Sequence, residues 1–294
     1  MNRQEHSQEV RTFLQKYLSI YDLTLSLPRG SGTETYFVQA DRQRYFVKVG
    51  APIERYLIMA EVGLTPPVLF FGQLESGSSI IVQQFITGQK PSQKDYRDQL
   101  EQVAGLIRQL HNHPQIRKVL PLASSNLHKD AGLQALNHLR QKWERYKAQV
   151  PKVATFVDNS LDNLAEQINL FPKEGLISSH GDICNANWLF APNREIYLVD
   201  LESMSLDDPA LDMGALLWWY YPPELRGQFL DIAGYRYDQN FKFRMQVRMA
   251  MHCLNITLPR EGSFDRFDPG HYDEALDDFR AILNGKENPQ GYSK

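Results

Sequence analysis

The chain has 294 residues, of which 42% are hydrophobic and 23% are charged, and its formal net charge at pH 7 is -3. This length and composition suffice to bury the core of one large domain or of two packed lobes, which excludes general disorder. The slightly acidic balance argues against a general nucleic-acid binder, because such proteins usually carry a basic surface.

The first part of the chain is predicted to be rich in strands. Apolar residues at helical spacing predict an amphipathic helix over residues 3–20. A short helix is expected from Pro52 to near Gly63, because proline suits the first helical turn. Runs of β-branched and aromatic residues, separated by turn residues, predict four strands at 35–38, 45–49, 68–71 and 80–85.

After Gly88 the pattern changes to that of long helices. Apolar residues recur at the i, i+3, i+4, i+7 positions of a buried helical face. This spacing predicts helices at 100–111, 133–146 and 153–170, and mostly helical structure after about 208. Two short strands are expected at 188–190 and 196–199. The layout predicts an α+β fold with a small β-rich N-terminal lobe, residues 1–86, and a larger helical C-terminal lobe, residues 87–294.

The two cysteines, Cys184 and Cys253, are too few for a disulfide framework, which favours a reducing compartment. The N-terminus lacks the apolar segment of a secretory signal peptide. No apolar run approaches the length of about 18 residues that suggests a membrane span. We therefore expect a cytoplasmic protein without a membrane span.

The most informative pattern is His180-Gly181-Asp182, with Asn187 five residues after the aspartate and Asp200 at the end of a predicted strand. Transfer of a phosphoryl group from ATP requires such groups. A carboxylate such as Asp182 can orient an acceptor hydroxyl and take its proton. Magnesium prefers hard oxygen ligands, which Asn187 and Asp200 offer. Either half of the pattern alone is common in turns, whereas the combination at this spacing favours function.

His180-Gly181-Asp182-x-x-x-x-Asn187, followed by Val199-Asp200-Leu201-Glu202, resembles the aminoglycoside phosphotransferase and choline kinase superfamily, whose members are relatives of the protein kinases. The run from Asp207 to Asp212 is also typical of that group, and the likeness spans about residues 28–220. The motifs are closest to those of bacterial choline and thiamine kinases. Asp200-Leu201-Glu202 stands where protein kinases have Asp-Phe-Gly, as in the small-molecule branch.

The resemblance implies a two-lobed protein-kinase-like fold that uses ATP and Mg2+. It implies that His180, Asp182 and Asp212 are catalytic residues, with Asp182 as the catalytic base. Asn187 and Asp200 are implied as metal ligands, and Asp212 is implied to brace the catalytic loop.

The same resemblance assigns a nucleotide clamp to the N-terminal lobe. Lys48 matches the kinase lysine that binds the α- and β-phosphates, although a solvated lysine on an exposed strand is the alternative. Glu54, ahead of Glu61, is the predicted ion-pair partner of Lys48, although it could serve only the helix dipole. The predicted phosphate-covering loop consists of Gly30, Ser31, Gly32 and Thr33. The predicted adenine-binding hinge consists of Gln84 and Phe85.

Aromatic residues are dense from Trp218 to Tyr221, and acids gather near the catalytic loop. Aromatic faces and carboxylates suit a cationic alcohol such as choline, thiamine or ethanolamine. Glu202, Asp207 and Trp218 are therefore the predicted acceptor-binding residues. In the alternatives, Glu202 is a second metal ligand or a structural acid, and the aromatic run faces the core. An aminoglycoside kinase and a pseudokinase without turnover are the alternative functions.

Overall fold

The computed structural model describes residues 3–19, 21–27, 35–40, 42–121, 123, 125–259 and 267–287. These residues form two compact units. The first unit contains the chain up to residue 90 together with 188–202, and the second contains 91–187 and all of the described chain after 202. The predicted division after residue 86 lies four residues before this one. The segment 188–202, predicted to belong with the C-terminal lobe, groups instead with the first unit.

The first unit is an antiparallel five-stranded sheet with two helices. The strand order is β1-β2-β3-β5-β4, so the central strand is β3, which carries Lys48. The elements are α1 (Arg3–Leu18), β1 (Leu23–Ser26), β2 (Thr35–Ala40), β3 (Gln43–Val49), α2 (Ile53–Glu61), β4 (Val68–Gln73) and β5 (Ser79–Gln84). The four predicted strands are confirmed as β2 to β5.

The core of the first unit lies against one face of this sheet. Val38 and Val47, on neighbouring strands, are almost fully buried in one cluster with Val10 and Leu14 of α1. Alternation along each strand places these side chains on the same face, where an apolar helix can cover them. Burial of such side chains stabilises the fold by about 1.5–3 kcal/mol each.

A short hairpin of the first unit positions the segment that begins at Asp200. Its strands are β7 (Trp188–Phe190) and β8 (Ile196–Leu198). Gln89 pairs with Phe190 across the start of the hairpin. The backbone N–H of Leu198 donates to the carbonyl of Leu64 over 2.8 Å. These backbone bonds hold the hairpin within the first unit and thereby fix residues 200–202 beside α2.

The second unit is helical, with one two-stranded antiparallel sheet of β6 (Ile177–Ser179) and β9 (Ser205–Asp207). Within the described residues, no helix has both the length and the apolarity needed to cross a membrane. The helices are α3 (Gln93–Asp98), α4 (Leu100–Asn112), α5 (Pro114–Lys118), α6 (His128–Tyr146), α7 (Pro151–Ile168), α8 (Pro209–Tyr220), α9 (Pro223–Ala233), α10 (Gln239–Thr257), α11 (Tyr272–Ala275) and α12 (Asp277–Leu283).

Helix α8 is the central helix of the second unit. Asp208 caps its N-terminus, since the carboxylate accepts a hydrogen bond from the backbone N–H of Ala210 over 2.9 Å. Pro209 occupies the first helical turn, where the missing N–H is not needed. The residues from Pro209 to Trp218 are almost all buried. A helix that is apolar on all sides must be surrounded by others, and α10 packs along it.

Two buried bases accompany this cap. Arg244 of α10 donates to the Asp208 carboxylate over 3.0 Å and also contacts Nδ1 of His128. The other ring nitrogen of His128, Nε2, donates to the carbonyl of Gly175 over 2.8 Å. His128 is therefore held as the neutral tautomer. Burial lowers the pKa of His128 below 6.5, and Arg244 lowers it further against the opposing effect of Asp208.

This arrangement predicts an acid-sensitive fold. The unfolded chain binds a proton at His128 near pH 6.5, whereas the folded chain binds it at lower pH. The stabilisation is therefore present above about pH 6.5 and is lost as the pH falls through the lowered pKa. Thermal unfolding at pH 7.5 and 5.5 should show a smaller loss of Tm for His128→Gln than for the wild type. His138→Gln, at an exposed position of the same helix, should lose as much Tm between the two pH values as the wild type. An equal loss of Tm for the wild type and His128→Gln would contradict the assignment of the acid sensitivity to His128.

Candidate active site

The predicted catalytic motif follows β6 directly. Gly181 has φ of 77°, a left-handed conformation that favours glycine. A Cβ atom there would also lie 2.5 Å from the carbonyl oxygen of Ser203. The glycine thus allows a tight turn against β9, and the next residue, Asp182, emerges half-buried at the wall of a cavity.

Asp212 holds this turn from beneath. Its carboxylate accepts hydrogen bonds from the backbone N–H groups of His180 and Gly181 over 2.8 and 3.0 Å. It also accepts one from the Ser179 hydroxyl over 2.9 Å and pairs with His111 Nε2 at 3.1 Å. Burial by itself raises the pKa of Asp212, but the hydrogen bond and charge of His111 and the contacts with His180 bring the net pKa below its usual value. Asp212 is thus a buried carboxylate that orders the loop.

His180 was predicted among the catalytic residues, and its placement corrects that interpretation. It is fully buried, and its described role is the backbone hydrogen bond to Asp212. A side chain with no exposed surface cannot contact a substrate. His111, which α4 carries, occupies the structural role that its sequence position suggests, between Asp212 and the Tyr235 hydroxyl.

The remainder of the loop is closed by side-chain bonds. The amide Nδ2 of Asn187 donates to the backbone carbonyl of Asp182 over 2.7 Å. The backbone N–H of Asn185 donates to the hydroxyl of Tyr220, on α8, over 2.8 Å. Because Nδ2 is used within the loop, the amide oxygen of Asn187 is the atom of that side chain that can bind a metal ion.

In the first unit, Lys48 is the centre of a charged cluster. It is 4% exposed, and its Nζ lies 2.6 Å from Asp200 Oδ1 and 2.6 Å from Glu202 Oε2. The Tyr56 hydroxyl lies 3.2 Å from the same nitrogen. Burial lowers the pKa of Lys48, but Tyr56 and the two carboxylates outweigh burial and raise it above its usual value. Lys48 is therefore a fixed cation at neutral pH.

Helix α2 fastens the acidic segment to this lysine. Arg55 Nη1 donates to the backbone carbonyls of Leu201 and Glu202 over 2.6 and 3.0 Å. The Tyr56 hydroxyl lies 3.2 Å from Glu202 Oε1 and accepts from the Leu201 N–H over 3.3 Å. Arg55 and Tyr56 are not among the site residues predicted from the sequence. They could have been recognised as polar residues on the buried face of the short helix that follows Lys48.

The predicted pairing of Lys48 with Glu54 is wrong. Glu54 lies in the first turn of α2 and is exposed, because the face of α2 that packs inward carries Arg55, Tyr56 and Met59. The carboxylates that bind Lys48 come from residues 200 and 202 instead. Glu202, predicted at the acceptor, thus faces the lysine of the predicted nucleotide clamp.

The predicted phosphate loop, Gly30 to Thr33, lies outside the described residues. In the predicted hinge, the Gln84 N–H donates to the Pro67 carbonyl and the Phe85 N–H donates to the Arg44 carbonyl. Both donors are thus bound within the first unit. These two N–H groups are therefore not available to an acceptor atom of an adenine ring.

The second unit contains a cavity of about 190 Å³ beside the catalytic loop. Asp182 lines it, together with Trp219 and Tyr220 of α8. Trp218, the predicted acceptor residue, is 2% exposed and belongs to the core, so that prediction is corrected by one helical position. Successive residues on a helix point about 100° apart, which is why the neighbour of a core tryptophan can reach the cavity.

The acids predicted to bind a cationic acceptor are already paired. Asp207 lies 2.6 Å from Arg248 Nη2, and Asp208 lies 3.0 Å from Arg244 Nη1. Burial raises the pKa of Asp207, and Arg248 opposes that rise. Asp207 and Asp208 therefore add no unpaired negative charge for a cationic acceptor.

Comparison with known proteins decides the family. The model of the phosphotransferase enzyme family APH matches residues 25–246. The chain belongs to this family.

Solved structures of kinases have the same fold as this phosphotransferase. A choline/ethanolamine kinase family protein from Mesorhizobium loti aligns over 96% of each chain with a TM-score of 0.68 and 17% identity. The choline kinase LicA from Streptococcus pneumoniae aligns over 94% of this chain and 99% of its own, with a TM-score of 0.57 and 14% identity. An aminoglycoside phosphotransferase APH(4)-Ia mutant, in complex with AMP-PNP and hygromycin B, aligns over 97% and 99%, with a TM-score of 0.63 and 17% identity.

These likenesses establish the kinase-like α+β fold, and with the family they make the protein a small-molecule phosphotransferase. Within the part of this phosphotransferase that the structure describes, no group of three or more His, Cys, Asp or Glu side chains forms a metal site. The amide oxygen of Asn187 and the carboxylate of Asp200 are nevertheless ligand types that Mg2+ accepts, and magnesium sites commonly use few protein ligands.

Proposed function

We propose that this phosphotransferase transfers the γ-phosphoryl group of ATP to a hydroxyl group of a small metabolite. The observation that carries the proposal is the placement of Asp182. Four hydrogen bonds to Asp212 order the loop that ends at Asp182. The Asp182 carboxylate lines a cavity large enough for a small molecule. A fixed carboxylate at a cavity wall suits a general base.

In the proposed reaction, the acceptor hydroxyl oxygen forms a bond to the γ-phosphorus while the bond to the ADP oxygen breaks. The hydroxyl proton passes to Asp182, and ADP leaves. The work of the protein is to orient the hydroxyl and to stabilise the charge on the transferred group.

Lys48 is proposed to bind the ATP phosphates, and Asp200 and Asn187 to ligate magnesium. When bound, Mg2+ neutralises phosphate charge and orients the triphosphate. Asp200 suits the metal because its side chain is 49% exposed, whereas that of Glu202 is 30% exposed and is held by Tyr56 as well as by Lys48. Complexes of related proteins with AMP and AMP-PNP support nucleotide binding.

The predicted amine-bearing acceptor, of the choline or ethanolamine type, retains part of its support. Trp219 and Tyr220 provide aromatic surface beside Asp182, where an ammonium group could bind. Glu202 and Asp207, the acids predicted at the acceptor, are paired with Lys48 and Arg248, so they do not support a cationic acceptor. The proposal is therefore a hydroxylated small metabolite, with an amine as a feature to be tested.

The test is an assay of ATP-dependent ADP release with a panel of alcohols that includes choline, ethanolamine, thiamine, aminoglycosides, sugars and hydroxy acids. Release that depends on both magnesium and one class of alcohol would support the proposal, and EDTA should abolish it. ATP binding without phosphorylation of any alcohol, in the panel or in a cell extract, would favour the pseudokinase alternative.

The Lys48 cluster predicts the effect of removing the charge of Glu202. Glu202→Gln should raise the KM for ATP about tenfold, because it removes one of two carboxylates that fix the phosphate-binding lysine. The acceptor KM should change less than about twofold, within the usual effect of a remote substitution. Steady-state kinetics of both substrates, with the exposed Glu54→Gln as the matched control, checks this. An effect confined to the acceptor KM would return Glu202 to the acceptor site.

A further inference from the structure

The helical unit contains a second cavity, of about 350 Å³, which Gly181 also lines. It shares Gly181, Leu211 and His252 with the cavity that Asp182 lines, so one bound molecule could occupy both. Its walls come from α6, β9 and α10. It therefore adjoins the cavity that Asp182 lines.

The charge of this second cavity is basic. Its described lining includes Lys142 and Arg248, two permanent cations, together with His138 and His252. The carboxylate in the same lining is that of Asp207, which Arg248 already binds at 2.6 Å. A cationic group placed here would meet an excess of positive charge, whereas an anionic group would be attracted.

Arg248 is the residue that most requires a further partner. It is 2% exposed, and its Nη2 donates to Asp207. The other two guanidinium nitrogens, Nε and Nη1, are buried and have no hydrogen-bond partner in the described parts of the chain. Buried donors of a charged group are costly to leave unpaired, by about 1–3 kcal/mol or more, so such groups mark places where a ligand can supply acceptors.

Comparison with the other buried arginines sharpens this point. Arg55 and Arg244 each leave a single buried nitrogen, Nε, without a partner among the described residues, whereas Arg248 leaves two. Arg244, one helical turn earlier on α10, binds both Asp208 and His128. Arg248 lines a cavity, and its single carboxylate partner leaves donors over.

We propose that the acceptor carries an anionic group, a carboxylate or a phosphate monoester, that binds Arg248 in this second cavity while its hydroxyl lies beside Asp182. The inference rests on the proposed function and narrows its substrate class. Arginine suits the role because it is always charged and offers several fixed donors to carboxylate and phosphate oxygens. An amine on the same molecule would lie nearer Trp219 and Tyr220.

The first experiment identifies the acceptor without guessing it. The full chain is incubated with radiolabelled ATP, magnesium and a small-molecule extract of cells, with Asp182→Asn as the blank. Labelled products are separated by ion exchange and identified by mass spectrometry. A product whose unphosphorylated form carries a carboxylate or a phosphate supports the inference, and the formula distinguishes the two sources. A neutral or purely cationic acceptor overturns the inference and leaves the proposed function intact. No labelling above the blank overturns both.

The second experiment tests Arg248 with the acceptor so identified. Arg248→Lys keeps a cation beside Asp207 but removes donors that the anion would use. The acceptor KM should rise about tenfold or more, while the KM for ATP stays within about twofold. The matched control is Arg226→Lys, since Arg226 is also buried and paired, with Glu287 at 2.7 Å, but lines neither cavity.

A merely structural role for Arg248 would lower the Tm of Arg248→Lys as in the control and leave the acceptor KM unchanged, which would overturn the assignment. If Arg248→Lys does not fold, the double variant Arg248→Met, Asp207→Asn removes both members of the ion pair and leaves no buried charge unpaired. The double variant should show the same rise in acceptor KM. An unchanged acceptor KM there would equally overturn the assignment.

Discussion

Replacement of Asp182 by asparagine is expected to lower kcat by about a hundredfold or more, the scale of general-base contributions. Asparagine has nearly the same shape but cannot take the acceptor proton. The loop should persist, because its bonds to Asp212 come from Ser179, His180 and Gly181, and Asn187 binds the backbone carbonyl of residue 182. The loss should therefore appear in turnover and not in folding.

Three measurements separate these outcomes for Asp182→Asn: single-turnover kinetics, calorimetric titration with MgATP, and thermal unfolding. The Kd for MgATP and the Tm should stay close to the wild-type values. Asp162→Asn, at an exposed aspartate paired with Arg140 on the surface, is the matched control and should leave all three unchanged. Wild-type turnover in purified Asp182→Asn would exclude Asp182 as the base.

Replacement of Asp212 by alanine is expected to have the largest effect on stability, about 3–5 kcal/mol. The substitution removes the shared acceptor of two backbone N–H groups, one hydroxyl and His111, all in a buried environment. Each donor is then left without a partner and out of reach of water, which is the most costly way to lose a hydrogen bond. Any protein that still folds should have a loop too mobile for efficient turnover.

Chemical denaturation of wild type and variants measures this stability effect. Ser179→Ala is the graded control, because the carboxylate keeps three partners. The substitution also removes one acceptor of the Gly181 N–H, which still donates to Asp212, so a loss of only about 1 kcal/mol is expected. A loss for Asp212→Ala no larger than that of Ser179→Ala would show that the carboxylate is not what orders the loop.

The fold could be predicted where local pattern alone determines structure. Alternating β-branched and aromatic residues identified β2 to β5, and helical periodicity identified α4, α6 and α7. Strand β1, Leu23–Ser26, was not predicted as a strand, because its sequence has one β-branched residue and no aromatic residue. The membership of residues 188–202 in the first unit depends on backbone bonds to Leu64 and Gln89, which are distant in sequence.

The site shows the same division between local and distant information. The catalytic loop is contiguous, and its motif could be recognised from spacing. The partners of Lys48 could not, because the contacts of Tyr56 and Arg55 with residues 201 and 202 span about 146 positions. A single helical position separates core Trp218 from cavity-lining Trp219, and α8 has no polar face that would reveal its orientation. Arg244 and Arg248 lie in a part of the chain without a recognisable motif.

Because residues 188–202 belong to the first unit, a single cut in the chain cannot separate the two units of this protein. A fragment that ends at residue 90 would contain the whole five-stranded sheet but neither Asp200 nor Glu202. Lys48 would then keep Tyr56 as its only partner from the present cluster, and a largely buried ammonium group without a carboxylate strongly opposes folding. The β-rich first unit is therefore not a separable module, because its charge is balanced only after most of the polypeptide has been synthesised.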